Sequence, residues 1–455
     1  MTLPDSPTSF LVTHTRVLAI AVPMTLAHLT TPLLGIVGTA VIGQLGEAHL
    51  LGAVAISSVV FDGIFWIFSF LRMGTVALTA QAMGAQDAPE QRAVLGRALV
   101  VAFALSAALL LLQWPLAWAA FALMGASEQV TQAAEIYFYV RIWSAPFTLA
   151  NYAILGWLIG LARTDLALLI QVLINAINMA ASAFLVLVLG WGVSGAALGT
   201  VIAEGIGLAS GLALVLWLGR KLPRVPYATI FDGPKLGRML VVNRDIMIRT
   251  AALIAAFSFF TAQGARSGDT ILAANAVLHN LVLLSAYFLD GFATAAEQLC
   301  GRAVGARDRP AFVRAVRLSL IWGLVLALIV STAFLIFGSS LIALMSSNRD
   351  VQTAAEAFLV FAALAPLAGV FAYGFDGIYI GATWTAAMRN LMLLSLGLYF
   401  ATWYVLQPLG NAGLWISILV LLGARGALQA LQLSGLLEKT FPLPERAPGP
   451  AARDP

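Results

Sequence analysis

The sequence predicts an all-α integral membrane protein, with twelve transmembrane helices in two six-helix bundles related by an internal repeat. Three observations lead there. Of 455 residues, 61% are hydrophobic and only 10% are charged, with a mean hydropathy of +0.93. A soluble domain carries about 25% charged residues, so a soluble enzyme, a disordered chain and a nucleic-acid binder are all excluded. Twelve apolar runs are each long enough for a bilayer core about 30 Å thick, which takes roughly 20 helical residues. Finally, residues of the first half recur in the second at one constant offset.

The runs lie near 15–43, 51–80, 95–123, 132–160, 166–189 and 193–219, then 246–264, 270–300, 312–344, 354–380, 387–406 and 411–436. None has the alternation of a transmembrane β-strand. Met1 to Thr15 lacks a basic n-region and a small-residue cleavage site, so the first span is expected to be retained. The expected division is a cytoplasmic segment 1–14, a first lobe 15–219, an inter-lobe linker 220–245, a second lobe 246–436 and a Pro-rich, disordered tail 437–455. Lysine and arginine gather in the connections after the even-numbered spans, including Arg92, Arg97, Arg220, Lys235, Arg302, Arg309, Arg314, Arg317 and Lys439, whereas the opposite connections hold Arg266 and Arg349. The positive-inside rule then places both termini in the cytoplasm. The same bias accounts for the pI near 9.4 without any nucleic acid.

The repeat has an offset of 221. Gly84-Ala85-Gln86-Asp87 recurs as Gly305-Ala306-Arg307-Asp308, Ala133-Ala134-Glu135 as Ala354-Ala355-Glu356, and Gly156 and Gly160 as Gly377 and Gly381. Six helices per half give both halves the same orientation, a parallel repeat about an axis along the membrane normal. Two such bundles enclose a cleft, and rocking them alternates its access.

Charges at membrane depth cost about 2.5–3.5 kcal/mol each on insertion scales and face a cavity or a partner. Here they are Asp62, Arg72, Arg141, Glu204, Asp290, Glu297, Asp376 and Arg425. Arg141, Glu204 and Arg425 fit buried ion pairs best. Glu204 and Arg425 are also repeat equivalents, consistent with a pairing across the bundles or with matched helix-end roles. Helical spacing aligns Tyr287, Asp290, Thr294 and Glu297 on one face, Tyr373, Asp376, Tyr379 and Thr383 on another, and Asp62, Trp66, Ser69 and Met73 on a third, with Arg72 turned away. Carboxylates flanked by hydroxyls read as the lining of a cation cavity. The uncharged ladder Gln171, Asn175, Asn178 and Ser182 either lines a cavity or binds neighbouring helices.

The sequence has no phosphate-binding GxxxxGK[ST], HExxH or GxSxG motif. The single Cys300 excludes a disulfide framework, and four scattered histidines argue against a His-type metal site. No cofactor is expected.

Several segments carry a resemblance to a known family. They are Thr39-Ala40-Val41-Ile42-Gly43, Phe70-Leu71-Arg72-Met73-Gly74-Thr75, Asn243-Arg244-Asp245-Ile246, Ala286-Tyr287-Phe288-Leu289-Asp290-Gly291 and Phe375-Asp376-Gly377. With them the chain resembles the multidrug and toxic compound extrusion (MATE) family, in its bacterial DinF-like branch, over nearly its whole length. The resemblance implies two six-helix lobes and export of organic cations or amphipathic compounds in exchange for H⁺ or Na⁺. It also implies that Asp376 matches the family's cation-binding acid of span 10, with a possible Na⁺ there. Two positions depart from the family: Gly38 stands where many relatives carry an Asp, and Ser182 stands where an Asp often follows Asn178 by four residues. The reading is therefore a monomeric antiporter of the bacterial inner membrane, with Asp376 as the chief cation-exchange site, helped by Asp290, Glu297 and Asp62. A substrate cavity is expected from Asn175, Asn178, Ser182, Gln171, Tyr287, Thr294, Tyr373, Trp66, Met73 and Arg72. A flippase for lipid-linked or amphipathic molecules and an organic-acid exporter are the alternatives.

Overall fold

The computed structural model describes residues 10–442 other than 221 and 224, and among these residues there is no strand. Twelve helices are long and apolar enough to cross a membrane. In chain order they are α1 (His14–Gly43), α2 (Ala48–Gly84), α3 (Ala88–Leu111), α4 (Glu128–Gly160), α5 (Thr164–Val188), α6 (Gly192–Gly219), α7 (Tyr227–Arg266), α8 (Asp269–Gly305), α9 (Arg309–Met345), α10 (Arg349–Gly381), α11 (Thr385–Leu409) and α12 (Asn411–Thr440). A helix satisfies its own backbone hydrogen bonds, which the hydrocarbon core cannot do for it.

Three expected boundaries move. The third span stops at Leu111, and Gln113–Met124 forms a separate helix that exposes Trp114 and Trp118, side chains suited to the membrane–water boundary. The stretch 220–245, read as a linker because of its charges, is helical from Gly233 and continuous with the rest of α7 to Arg266. Charge density marks where a helix leaves the hydrocarbon, not where the helix begins. The tail is helical to Thr440 and its Phe441 is buried; residues 443–455 and 1–9 lie outside the described residues.

The repeat is visible in the backbone. Gln86 and Arg307 both take left-handed φ values, 56° and 53°, as do Ala162 and Thr383, at 57° and 56°. Asp87 accepts from the Glu90 amide at 2.9 Å and Asp308 from the Ala311 amide at 2.9 Å. Each is a side-chain cap followed by a proline in the first turn, which needs no backbone donor there. Packing inside each bundle repeats too. A Cβ at Gly156 would meet the Arg72 carbonyl, and one at its equivalent Gly377 would meet the Ala293 carbonyl.

α1 to α6 pack mainly among themselves, as do α7 to α12, and the bundles meet where α1 and α2 lie against α8, α7 and α10. Those contacts fall in the half of the molecule that carries the first and last described residues, called here the basic end. Thr25 donates to the Phe288 carbonyl at 3.3 Å, Gln81 to the Gly381 carbonyl at 2.9 Å and Gln298 to the Gly160 carbonyl at 3.3 Å. The acceptors Gly160 and Gly381 are repeat equivalents. At the extreme end Gly84 of α2 lies on the Arg302 carbonyl, and Gly305 of α8 lies on the Gln81 carbonyl. Toward the far end the second half of α1, Thr31–Gly43, packs on α2, α5 and α6 of its own bundle. The bundles are thus closed on each other at the basic end, and the cleft expected between them lies away from it.

Because a Cβ at either crossing glycine would strike backbone, Gly84→Val and Gly305→Val should each prevent this closure. Overpacking costs about 1–3 kcal/mol, so we expect the melting temperature of the purified protein to drop. Gly63→Ala, which adds a Cβ with nothing within 4 Å, should leave it unchanged.

Candidate functional site

The floor of the cleft is built from charged side chains of both bundles. α1 is interrupted at Thr30, between Leu29 and a second segment with Pro32 in its first turn. This break places His28 at the end of the first segment, facing α8. Its Nδ1 stands 3.9 Å from Asp290 Oδ2, and the Asp290 side chain keeps 40% of its surface accessible. α2 breaks likewise at Phe68 and Ser69, so that Asp62 and Arg72 belong to different helical segments. Arg72 lies within electrostatic reach of His28, Asp290 and Glu297. Three atoms in this cluster are buried without a hydrogen-bond partner: His28 Nδ1, Arg72 Nη1 and Glu297 Oε1. Unpartnered buried polar atoms cost about 1–3 kcal/mol each; others lie inside the bundles, among them Arg141 Nε, Asn151 Oδ1 and Arg425 Nη1, and what sets this cluster apart is that it draws charged side chains from both bundles.

Farther out, Tyr287 is within electrostatic reach of both Asp290 and Asp62, bringing one side chain of each bundle to the same cleft. Asp62 is exposed and faces Arg141, whose guanidinium donates to Tyr137 Oη at 3.0 Å and sits 4.7 Å over the Phe61 ring. Trp66 is exposed on the same segment, whereas Met73 packs against the apolar core. Thr294 is spent within its own helix, donating to the Asp290 carbonyl at 2.8 Å.

Asp376 has a different setting. It is 4% exposed, and its Oδ2 accepts from Arg249 of α7 and from Arg425 of α12, the latter at 2.5 Å, while Oδ1 accepts from Gln429 at 2.8 Å. The expected chief cation-exchange site is therefore occupied in this conformation by two of the chain's own cations. A third cation would meet repulsion from both. Tyr379, on the same stripe, donates to the Gln429 carbonyl at 2.7 Å. Tyr373 lies within electrostatic reach of Asp290, Arg249 and Arg425 and links this clamp to the cleft floor. Glu204 and Arg425 do not pair across the bundles: Glu204 accepts from Asn151 at 2.7 Å, inside the first bundle.

The uncharged ladder of α5 binds helices. Gln171 donates to Asn175 at 3.2 Å, Asn175 to Thr30 at 2.5 Å, Asn178 to Thr200 at 3.2 Å, and Ser182 to both Asn178 and the Ala196 carbonyl. It ties α5 to α1 at the Thr30 break and to α6. At Gly38, in contrast, an added Cβ would meet nothing within 4 Å, so packing does not require glycine there.

The sequence reading missed His28, Arg249 and Gln429. Spacing along the chain gives no sign of His28, because its partner Asp290 lies 262 residues away. Arg249 shares a polar run with Arg244 and Asp245 and looked like the boundary of a span. Gln429 has no signal of its own in the sequence.

Comparison with known proteins decides the family. The MatE family model matches residues 23–184 and 246–405, one match in each half. The chain belongs to the MatE family. It is 38% identical to DNA damage-inducible protein F of Escherichia coli K12, over 90% of this chain and 89% of that one. It is 29% identical to the probable multidrug resistance protein NorM of Deinococcus radiodurans, over 93% of both. Solved structures agree in fold. An outward-facing multidrug resistance MATE transporter of the MOP superfamily superposes with a TM-score of 0.81 at 19% identity, covering 94% of this chain and 96% of that one. A MOP superfamily transporter from Pyrococcus furiosus, described as having a binding pocket of reverse polarity, superposes at 0.82 with 19% identity, covering 94% and 96%. Proteins of the MatE family are transporters rather than enzymes, and this chain is a multi-pass membrane member of the multidrug efflux class.

The Asp376 clamp makes one outcome specific. Asp376→Asn leaves two buried guanidiniums without a counter-charge, and removing one partner of such a network costs about 3–5 kcal/mol. We expect a clear fall in the melting temperature of the purified protein. Asp290→Asn, at a half-exposed site, should leave it nearly unchanged.

Proposed function

We propose that this MatE protein is a secondary antiporter of the bacterial inner membrane, with both termini cytoplasmic, that exports organic cations or amphipathic compounds in exchange for protons. The observation that carries the reading is the pair His28 and Asp290. The two titratable groups come from opposite bundles and stand 3.9 Å apart at the floor of a cleft closed at the basic end. At 3.9 Å the imidazole and the carboxylate make no direct hydrogen bond, so each is free to take up a proton, and separating the bundles would part them. Binding of a cationic substrate at Asp290 and Asp62 then competes with protonation, and this competition is the exchange step. Glu297, buried beside Arg72, would hold the proton when the substrate occupies Asp290. Asp376 is assigned a pivot role, holding α7, α10 and α12 together. Asn175, Asn178 and Ser182 are assigned to the joint between α1, α5 and α6, with the cavity lined chiefly by Asp62, Trp66, Tyr287 and Tyr373.

The orientation follows from the arginine-rich connections at the basic end. The organic-acid reading rests on Arg72, whose unpartnered Nη1 could receive an anion.

The test is uptake of a fluorescent organic cation into everted vesicles under a pH gradient and, separately, a Na⁺ gradient. Uptake should follow the pH gradient, and Asp290→Asn should reduce it at least tenfold, on the order of what loss of an essential charge-paired group costs. Uptake driven by Na⁺ alone would replace the proton in this scheme. Full pH-driven uptake by Asp290→Asn would remove Asp290 from it. Uptake of an organic anion that is lost in Arg72→Gln would favour acid export instead.

A further inference from the structure

Outside the cleft, a second feature calls for a ligand. Where α9 begins, at the basic end, a cavity of about 700 Å³ opens between α9 and the start of α1. Its lining combines the guanidinium-bearing Arg309, Arg314 and Arg317 with apolar Val313 and Ile321, and His14 of the other bundle closes one side. Trp322 donates to His14 Nδ1 at 3.1 Å, with the two rings edge to face, so the cavity wall belongs to both bundles.

Its three arginines have no carboxylate within ion-pair distance among the described residues. Other basic groups at the same end do find partners: Arg97 and Lys235 both reach Glu90, Arg389 reaches Asp245 at 2.7 Å, and Arg238 donates to Gln81 at 2.9 Å. Three unneutralised guanidiniums lining one cavity form an anion site. Guanidinium groups hold phosphate through paired N–H donors.

The surroundings say which anion. With a rise of 1.5 Å per residue, Arg309 to Arg317 covers about 12 Å of the helix axis. Beyond Arg317 the exposed side chains change character to Ile321, Val325, Leu328 and Ile329, which are 42%, 39%, 49% and 60% exposed. A charged cradle followed by an open apolar stripe along one helix is complementary to a phosphate headgroup followed by acyl chains. A free phosphate ion would use only the first part.

We propose that this cavity binds the phosphate headgroup of an anionic phospholipid, with its acyl chains laid along Ile321 to Ile329. The assignment of that lipid to the cytoplasmic leaflet rests on the orientation given above; the binding itself does not. Seated between His14 and α9, the lipid touches both bundles at the end where they close.

The experiment uses the full-length protein in nanodiscs, whose two faces are equally accessible, so that an error in orientation cannot be mistaken for failure of the site. Retention of labelled phosphatidylglycerol and labelled phosphatidylcholine is compared for the wild type and for Arg314→Gln/Arg317→Gln, a pair on an exposed helix face. Each basic residue contributes on the order of 1 kcal/mol near an anionic surface. The wild type, with three arginines, should therefore retain phosphatidylglycerol roughly a hundredfold better than phosphatidylcholine, and the double variant should lose most of that preference. Arg349→Gln, at the opposite end, should keep it. Thermal melting provides the control for folding: phosphatidylglycerol should raise the melting temperature of the wild type and not of the double variant. Equal retention of both lipids by the wild type, or an unchanged preference in the double variant, would overturn the proposal. Displacement of phosphatidylglycerol by millimolar inorganic phosphate would also overturn it, and would identify free phosphate as the ligand.

Discussion

The backbone crossing of α2 and α8 at Gly84 and Gly305 sets how near the two bundles can come, and the cleft floor depends on that distance. With no Cβ at either position, each helix rests on a carbonyl of the other, Arg302 against Gly84 and Gln81 against Gly305. Only at that approach do Gln81 and Gln298 reach the carbonyls of Gly381 and Gly160 across the junction. The same approach brings His28 to Asp290, higher on the same pair of bundles. Close packing of small residues is the ordinary way for helices to associate in lipid, where the hydrophobic effect offers no drive between them. Here it is placed on the symmetry axis of the repeat, so one arrangement serves both halves.

Closure at the basic end leaves the polar groups of the cleft in unequal states. Asp376 is committed, its carboxylate accepting from N–H groups of Arg249 on α7 and of Arg425 and Gln429 on α12, while Tyr379 donates to the Gln429 carbonyl beside it. The α5 ladder is committed too, to Thr30 and Thr200. Of the groups that keep an unpartnered buried atom, His28, Arg72 and Glu297 lie at the junction, while others, among them Arg249, Arg425 and Asn151, lie inside a bundle. A junction where charged groups of both bundles meet without a direct hydrogen bond suits a machine whose moving part is the junction. Inside each bundle, polar pairs lock helices; between them, polar atoms remain available for exchange.

The membrane-boundary cavity at α9 extends this logic to the periphery. Acidic side chains neutralise the basic groups around Glu90 and Asp245, and among the described residues the arginines at the start of α9 have none. A lipid phosphate would supply the missing charge from the solvent that the protein already occupies. In that sense the bilayer is a source of ligands as well as the medium that dictates helices.

Composition and apolar run length were enough to establish helices spanning a membrane, because hydrocarbon tolerates no other way of satisfying a backbone of this kind. The offset of 221 was enough to establish two like-oriented halves, and the structure carries it down to matched left-handed residues at Gln86 and Arg307. Helical spacing correctly put Asp290 near Tyr287 and grouped the α5 amides, since those relations lie within one helix. It could not decide what Asp376 or Asn175 would face, because their partners, Arg249, Arg425 and Thr30, come from other helices. For the same reason His28 stayed invisible in the sequence. Periodicity records which side chains share a helix face, and only the packing of one helix on another decides whether that face meets lipid, a counter-charge or an open cleft.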